Sequence, residues 1–155
     1  HAGKPTIYRY WPNREALAMA ALMATAQSGQ EEKTQGASAL GELRQQLARV
    51  ADLFSSPHGR NAVLMTASAD PGSELSKAFR NQVMLSSREE GRGLLLRAVA
   101  EEALRPDLDI DVALDMIYGP IFYRLLMGHA PADVKFTSAV LNEALKGFAA
   151  ASSAK

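Results

Sequence analysis

Apolar residues recur every three to four positions along most of the chain, and they almost never alternate with polar ones. That period marks amphipathic helices, and without alternation of β-branched and aromatic residues the strand signal is missing. Leu40, Leu43, Leu47, Val50 and Phe54 give the clearest case: they fall on one narrow stripe, with Arg44, Gln45, Arg49 and Asp52 off it. Leu17, Ala20, Ala21 and Ala24 repeat the spacing in a helix that Asn13 can cap. Turn signals divide the helical pieces at Trp11-Pro12-Asn13, Ser28-Gly29, Ser56-Pro57, Asp70-Pro71-Gly72, Arg105-Pro106-Asp107 and Gly128-His129-Ala130-Pro131.

Ser56-Pro57 reads as a cap followed by proline in the first helical position, opening a helix with Val63, Leu64 and Met65. Asp70-Pro71 repeats that signal. The segment Glu74 to Leu104 reads either as one long helix or as two joined near Gly91 and Gly93. Asp109 caps a helix from Ile110 to Met127 that is apolar on most sides, with Asp115 and Arg124 its only charges after residue 111. A helix apolar all round must be covered all round, which predicts one face on the core and another on a second subunit. Pro120 in its middle predicts a kink. The last helix, from about Asp133 to Ala149, carries Phe136, Val140, Leu141, Ala144, Leu145 and Phe148, and the tail from Ala150 is expected to fray. The fold expected is all-α, with about eight helices.

Composition narrows the chemistry. The chain of 155 residues is 47% apolar and 22% charged, an ordinary globular balance. It has no cysteine, which excludes disulfides, thiolate metal sites and thiol nucleophiles. No run approaches the ~20 apolar residues of a membrane span, and the first residues have no apolar core like a signal peptide's, so the cytoplasm is the default. His1, His58 and His129 stand far apart with no second ligand at helical spacing, so no metal site and no cofactor are expected. The pairs Glu31-Glu32, Glu89-Glu90 and Glu101-Glu102 are sequence neighbours that diverge on a helix and read as solvated faces. Ser86-Ser87 has no visible base partner, no Gly-rich phosphate loop occurs, and no catalytic residue is assigned.

Lysine plus arginine equal aspartate plus glutamate at 17 each, which at face value argues against a nucleic-acid partner. The charge is unevenly spread, however. Residues 1–17 carry +2, whereas Glu101 to Asp115 carries six acids against Arg105. Within the first stretch, Tyr8-Arg9-Tyr10-Trp11 interleaves aromatic and basic groups. On a short helix, Thr6, Arg9 and Tyr10 share one side, and Ile7 and Trp11 can pack inward. Such side chains can reach phosphates and base edges. An ordinary short amphipathic helix fits the composition equally well.

Lys4-Pro5-Thr6-Ile7-Tyr8-Arg9-Tyr10-Trp11-Pro12-Asn13-Arg14-Glu15-Ala16-Leu17 resembles the end of the helix-turn-helix in TetR-family transcriptional regulators. Leu104-Arg105-Pro106-Asp107-Leu108-Asp109 and Tyr118-Gly119-Pro120-Ile121-Phe122-Tyr123-Arg124-Leu125-Leu126-Met127 resemble the regulatory domain of one TetR subgroup. Two departures stand out: the roughly forty residues that the family places before this point, and the two residues it usually has between Gly3 and Lys4. With them missing, the sequence reads as one regulatory domain and the stump of a second.

The resemblance implies residues 1–13 as the remnant of a DNA-binding domain, 14–28 as a connecting helix, and 37–150 as a ligand-binding and dimerisation domain. It implies double-stranded operator DNA as a partner, with Lys4, Pro5, Thr6, Tyr8, Arg9, Tyr10 and Arg14 at positions that touch DNA. It further implies a homodimer through the last two helices, for which Tyr123, Met127, Leu141, Leu145 and Phe148 are the candidates. Periodicity does not separate these from intrachain core. A small-molecule effector would lie between helices, with Phe54, Met65, Met84, Tyr118 and Phe122 as candidate lining and core packing as their other reading. The function implied is a ligand-responsive repressor. The alternative is a helical small-molecule-binding protein without DNA binding.

Overall fold

Six α-helices and one π-helical turn make up the described residues, 38–150, of a computed structural model. In chain order they are α1 (Ala39–Ser55), α2 (Pro57–Ser68), α3 (Glu74–Phe79), the π turn (Arg80–Met84), α4 (Leu85–Ala100), α5 (Ile110–Met127) and α6 (Val134–Phe148). The expected remnant and connecting helix, at 1–13 and 14–28, lie outside the described residues, as does the tail beyond Ala150.

Side-chain caps set most of the helix starts. Ser38 Oγ accepts from Gly41 N, Ser56 Oγ from Gly59 N, Asp109 Oδ1 from Val112 N and Asp133 Oδ1 from Phe136 N, at 2.9–3.2 Å. Each satisfies one of the N–H groups that a first turn leaves without a partner. Asp70 does not cap the helix after it. Its Oδ1 accepts from Gly72 N at 2.9 Å, a local turn, and Ser73 caps α3 instead. A short aspartate side chain can bond its own backbone two residues on, and the Pro-Gly that follows favours that turn.

The segment 74–104 is broken neither at Gly91 nor at Gly93. Both lie inside α4, and residues 74–100 run as continuous helix, α3 passing into α4 through the π turn at Arg80–Met84. Gly91 is needed for a reason of packing: a Cβ there would collide with the Tyr118 hydroxyl and come within 3.2 Å of Leu114 Cδ2. Gly93 faces open space.

The stripe on α1 faces inward as its spacing predicts. Leu43, Leu47, Val50 and Phe54 are buried, and Leu40 packs partly buried against them. Helix α1 rests on α2, α4 and α6. Helix α5 runs unbroken through Pro120 and packs on α2, α4 and α6, sealing Leu114, Ile117 and Ile121 in the same core. Each buried side chain of this size contributes on the order of 1.5–3 kcal/mol. Gly128 ends α5 with φ +64°, the left-handed conformation that favours glycine. Arg124 lies over the Phe136 ring at 3.5 Å and donates to Pro131 O at 2.8 Å, which fastens the α5–α6 connection. Beyond α6 the chain pairs back on the α4–α5 loop, where Arg105 N donates to Phe148 O at 2.9 Å.

The outer face of α5 remains apolar and uncovered in the single chain. Val112, Met116, Tyr123, Leu126 and Met127 are 47–63% exposed. Among the described residues, no helix is long and apolar enough to cross a membrane.

Candidate ligand cavity

A cavity of about 390 Å³ lies between α1, the π turn with the start of α4, and α5. Val50 and Phe54, one turn apart, form the α1 wall. Asp115, Tyr118, Gly119 and Phe122 form the α5 wall, spaced so that all share one helix face. Arg80 and Met84, at the two ends of the π turn, and Leu85, Ser87 and Arg88 after it form the third wall. π turns of this kind are frequent at functional sites. The surface inside is overwhelmingly apolar. Phe54 and Phe122 meet edge to face, with ring centroids 5.3 Å apart.

A buried polar group sits beneath the apolar lining. Gln46, 1% exposed, donates from Nε2 to Ser87 O at 2.7 Å. The Tyr118 hydroxyl meets both Gln46 Oε1 and Ser87 O, the latter at 3.0 Å. Burial pushes the Tyr118 phenol well above its ordinary range, and the bond to Gln46 opposes this only in part. The phenol therefore stays neutral and can act as a donor.

The charged part of the wall is largely self-neutralised. Arg88 pairs with Asp115 at 2.6 Å and with Asp111 at 3.0 Å, and Arg92 also bonds Asp111. These bonds, first Arg92 and then Arg88, hold the Asp111 carboxyl below the usual carboxylate range. Arg80 differs: its hydrogen bond, to Pro71 O, is 3.5 Å long, and among the described residues no carboxylate is within 4.0 Å of it.

Four of the five residues expected at an effector site come together here: Phe54, Met84, Tyr118 and Phe122. Met65 does not. It lies half-buried on α2, away from the lining. Phe54 and Tyr118 also belong to the core, so the two readings of those positions overlap. Among the interface candidates, Tyr123 and Met127 are exposed on α5 and Leu145 is half-buried. Leu141 and Phe148 are 0% and 3% exposed, packed against their own chain. The DNA-contact candidates Lys4, Pro5, Thr6, Tyr8, Arg9, Tyr10 and Arg14 lie outside the described residues.

Arg80, Arg88 and Leu85 were not singled out by sequence, since their role in the wall depends on a π turn that composition does not announce. Asp115 did carry a signal, as one of two charges on an otherwise apolar helix. Among the described residues, no three His, Asp or Glu side chains gather as a metal site would require. The arrangement offers an apolar enclosure with a polar floor and a cation at its mouth.

Residues 35–144 match the family model described as tetracyclin repressor-like, C-terminal domain. An uncharacterised HTH-type transcriptional regulator, YdeS of Bacillus subtilis (strain 168), is 29% identical over 149 residues, which is 96% of this chain and 75% of that protein. The crystal structure of the TetR family transcription regulator SCO0332 superimposes with a TM-score of 0.67 at 27% identity, covering 94% of this chain and 80% of that one.

Proposed function

The chain belongs to the TetR family of transcriptional regulators, and on that premise we propose that it is a ligand-responsive DNA-binding repressor, released from its operator by a small-molecule effector. The match of its helical domain to the family over residues 35–144 carries this reading. The cavity between α1, α4 and α5 supports the effector half, because enclosures of 300–1,000 Å³ lined by apolar groups suit small ligands. The reading assigns the chain no catalytic role and places it in the cytoplasm.

The working unit is a homodimer. The exposed stripe on α5, with Val112, Met116, Tyr123 and Met127, meets its copy together with Leu145 on α6, forming a four-helix bundle. Two subunits present two recognition segments, residues 1–13, on half-sites about one DNA turn, ~34 Å, apart. Lys4 and Arg14 reach phosphates, as does the Tyr8 hydroxyl, while Thr6, Arg9 and Tyr10 read bases. An effector that binds one conformation more tightly shifts residues 14–28 and changes that separation. Releasing most of the DNA takes only a differential affinity larger than the margin by which the operator is held.

A gel-shift titration of the intact protein on the promoter region of its own gene tests the DNA claim. We expect sequence-preferring binding at moderate salt. Lys4→Ala should lower the slope of log K against log salt by about one. Arg9→Ala should instead relax base preference. Binding with no sequence preference, by a protein that still takes small ligands in its cavity, would favour the alternative, a helical ligand-binding protein without DNA binding.

A further inference from the structure

We propose that the cavity takes an amphipathic organic acid, its anionic head on Arg80 at the mouth and its apolar body against Phe54, Met84 and Phe122. The proposal rests on the reading of this cavity as an effector site and specifies the chemistry of the ligand.

Charge bookkeeping at the wall gives the sign of the head group. Among the described residues, three charged side chains line the cavity: Arg80, Arg88 and Asp115. Arg88 and Asp115 neutralise one another at 2.6 Å, and Arg88 holds Asp111 besides. A ligand cation would have to compete with Arg88 for Asp115, and a ligand anion at Arg88 would have to displace two carboxylates. Arg80 has no carboxylate to displace among the described residues, only a long contact to a backbone oxygen. Of the two neutral polar side chains in the described lining, Tyr118 is committed and Ser87 offers a single hydroxyl. The Tyr118 hydroxyl is bonded to Gln46 and to Ser87 O. A ligand whose polar group is neutral therefore finds little to bind inside, and one bearing an anion finds at the rim a guanidinium that has no carboxylate partner among the described residues.

The size and polarity of the interior give the rest. At ~30 Å³ for each water-sized group, the volume of about 390 Å³ holds roughly a dozen non-hydrogen atoms. The apolar lining favours a hydrocarbon or aryl body over a sugar or nucleotide, whose hydroxyls would lose water without replacement partners. Met84 at the end of the π turn lets the wall adapt to the shape of that body.

Decanoate, decan-1-ol and decylamine share one apolar chain and differ in the charge of the head, which makes them suitable probes. Calorimetric titration of the full chain with each, at pH 7.5, should give decanoate the tightest binding, by roughly two- to fivefold over the alcohol. That is the scale of one partly exposed ion pair. Arg80→Gln should bring decanoate down to the level of decanol and leave decanol unchanged, while Arg80→Lys keeps part of the advantage. Thermal melts confirm that each variant is folded. Decanol binding as tightly as decanoate, decylamine preferred, or an Arg80→Gln variant that keeps its preference for the acid would each overturn the assignment of an acid, leaving the cavity reading intact. Met84→Trp, which fills part of the enclosure, separates the two levels: if none of the probes binds the parent chain, or if this variant binds all three as before, the effector-site reading itself fails.

Discussion

Replacing Tyr118 by phenylalanine removes one oxygen from the floor of the cavity and little else. The hydroxyl contacts Gln46 Oε1 and Ser87 O. Gln46 is 1% exposed, so its amide oxygen cannot turn to water when the hydroxyl is lost. A buried acceptor left without its donor costs about 1–3 kcal/mol. For a chain of 155 residues, each kcal/mol moves the melting temperature by roughly 2–4 °C, so the expected fall is on the order of 2–12 °C. A second substitution separates this cause from lost packing. Gln46→Leu in the Tyr118→Phe background replaces both partners with apolar groups of similar shape, which is close to neutral. Ser87 O keeps its place in the helical ladder of α4, so the double variant leaves no new orphan there. Gln46→Leu alone should cost less than Tyr118→Phe, because the hydroxyl keeps Ser87 O. The assay is a set of four melts followed by circular dichroism at one protein concentration, since a dimer's melting point depends on concentration. The expected coupling is about 1 kcal/mol or more in the cycle. A Tyr118→Phe variant within 0.5 kcal/mol of the parent, or two substitutions that simply add, would refute the reasoning.

Three further outcomes follow from named contacts. Alanine is a better helix former than glycine by about 1 kcal/mol, so Gly93→Ala, with nothing within 4 Å, should raise stability by roughly 0.5–1 kcal/mol. Gly91→Ala should lower it by about 1–3 kcal/mol, because the added Cβ runs into a Tyr118 ring that Gln46 and Ser87 hold in place; equal effects at the two glycines in urea titrations would contradict this. Asp111 has its folded pKa depressed below the unfolded value of about 3.9, so its contribution is present above that pH and is lost as pH falls through the folded value. Melting temperature plotted from pH 6 to about 2.5 should therefore drop less steeply for Asp111→Asn than for the parent chain, and parallel curves would count against the ion network. Finally, Met116→Lys together with Tyr123→Lys places charge on the exposed α5 stripe and should convert a dimer to monomers in sedimentation velocity, whereas Lys135→Glu, on α6, should leave the dimer intact. A double variant that still sediments as a dimer would move the interface elsewhere.

Local pattern along the chain predicts most of the elements and their inward faces. Helical period in Leu43, Leu47, Val50 and Phe54 predicts the buried side of α1, and the caps at Ser56 and Asp109 predict where two helices begin, because both are local effects that act within one or two turns. The same local rules misplaced the start after Asp70, where two local bonds compete and the stronger turn wins. They also could not reveal the π turn at Arg80–Met84, which composition does not mark. Tertiary structure decided everything that depends on distant residues meeting. It brought Phe54, Met84, Tyr118 and Phe122 to one cavity, left Met65 outside it, and buried Leu141 and Phe148 in their own chain. It also gave Arg88 two carboxylates 23 and 27 residues away and left Arg80 at the cavity mouth without one among the described residues. Periodicity says which side of a helix is apolar. What covers that side, whether core, ligand or a second subunit, is set by the packing of helices far apart in sequence.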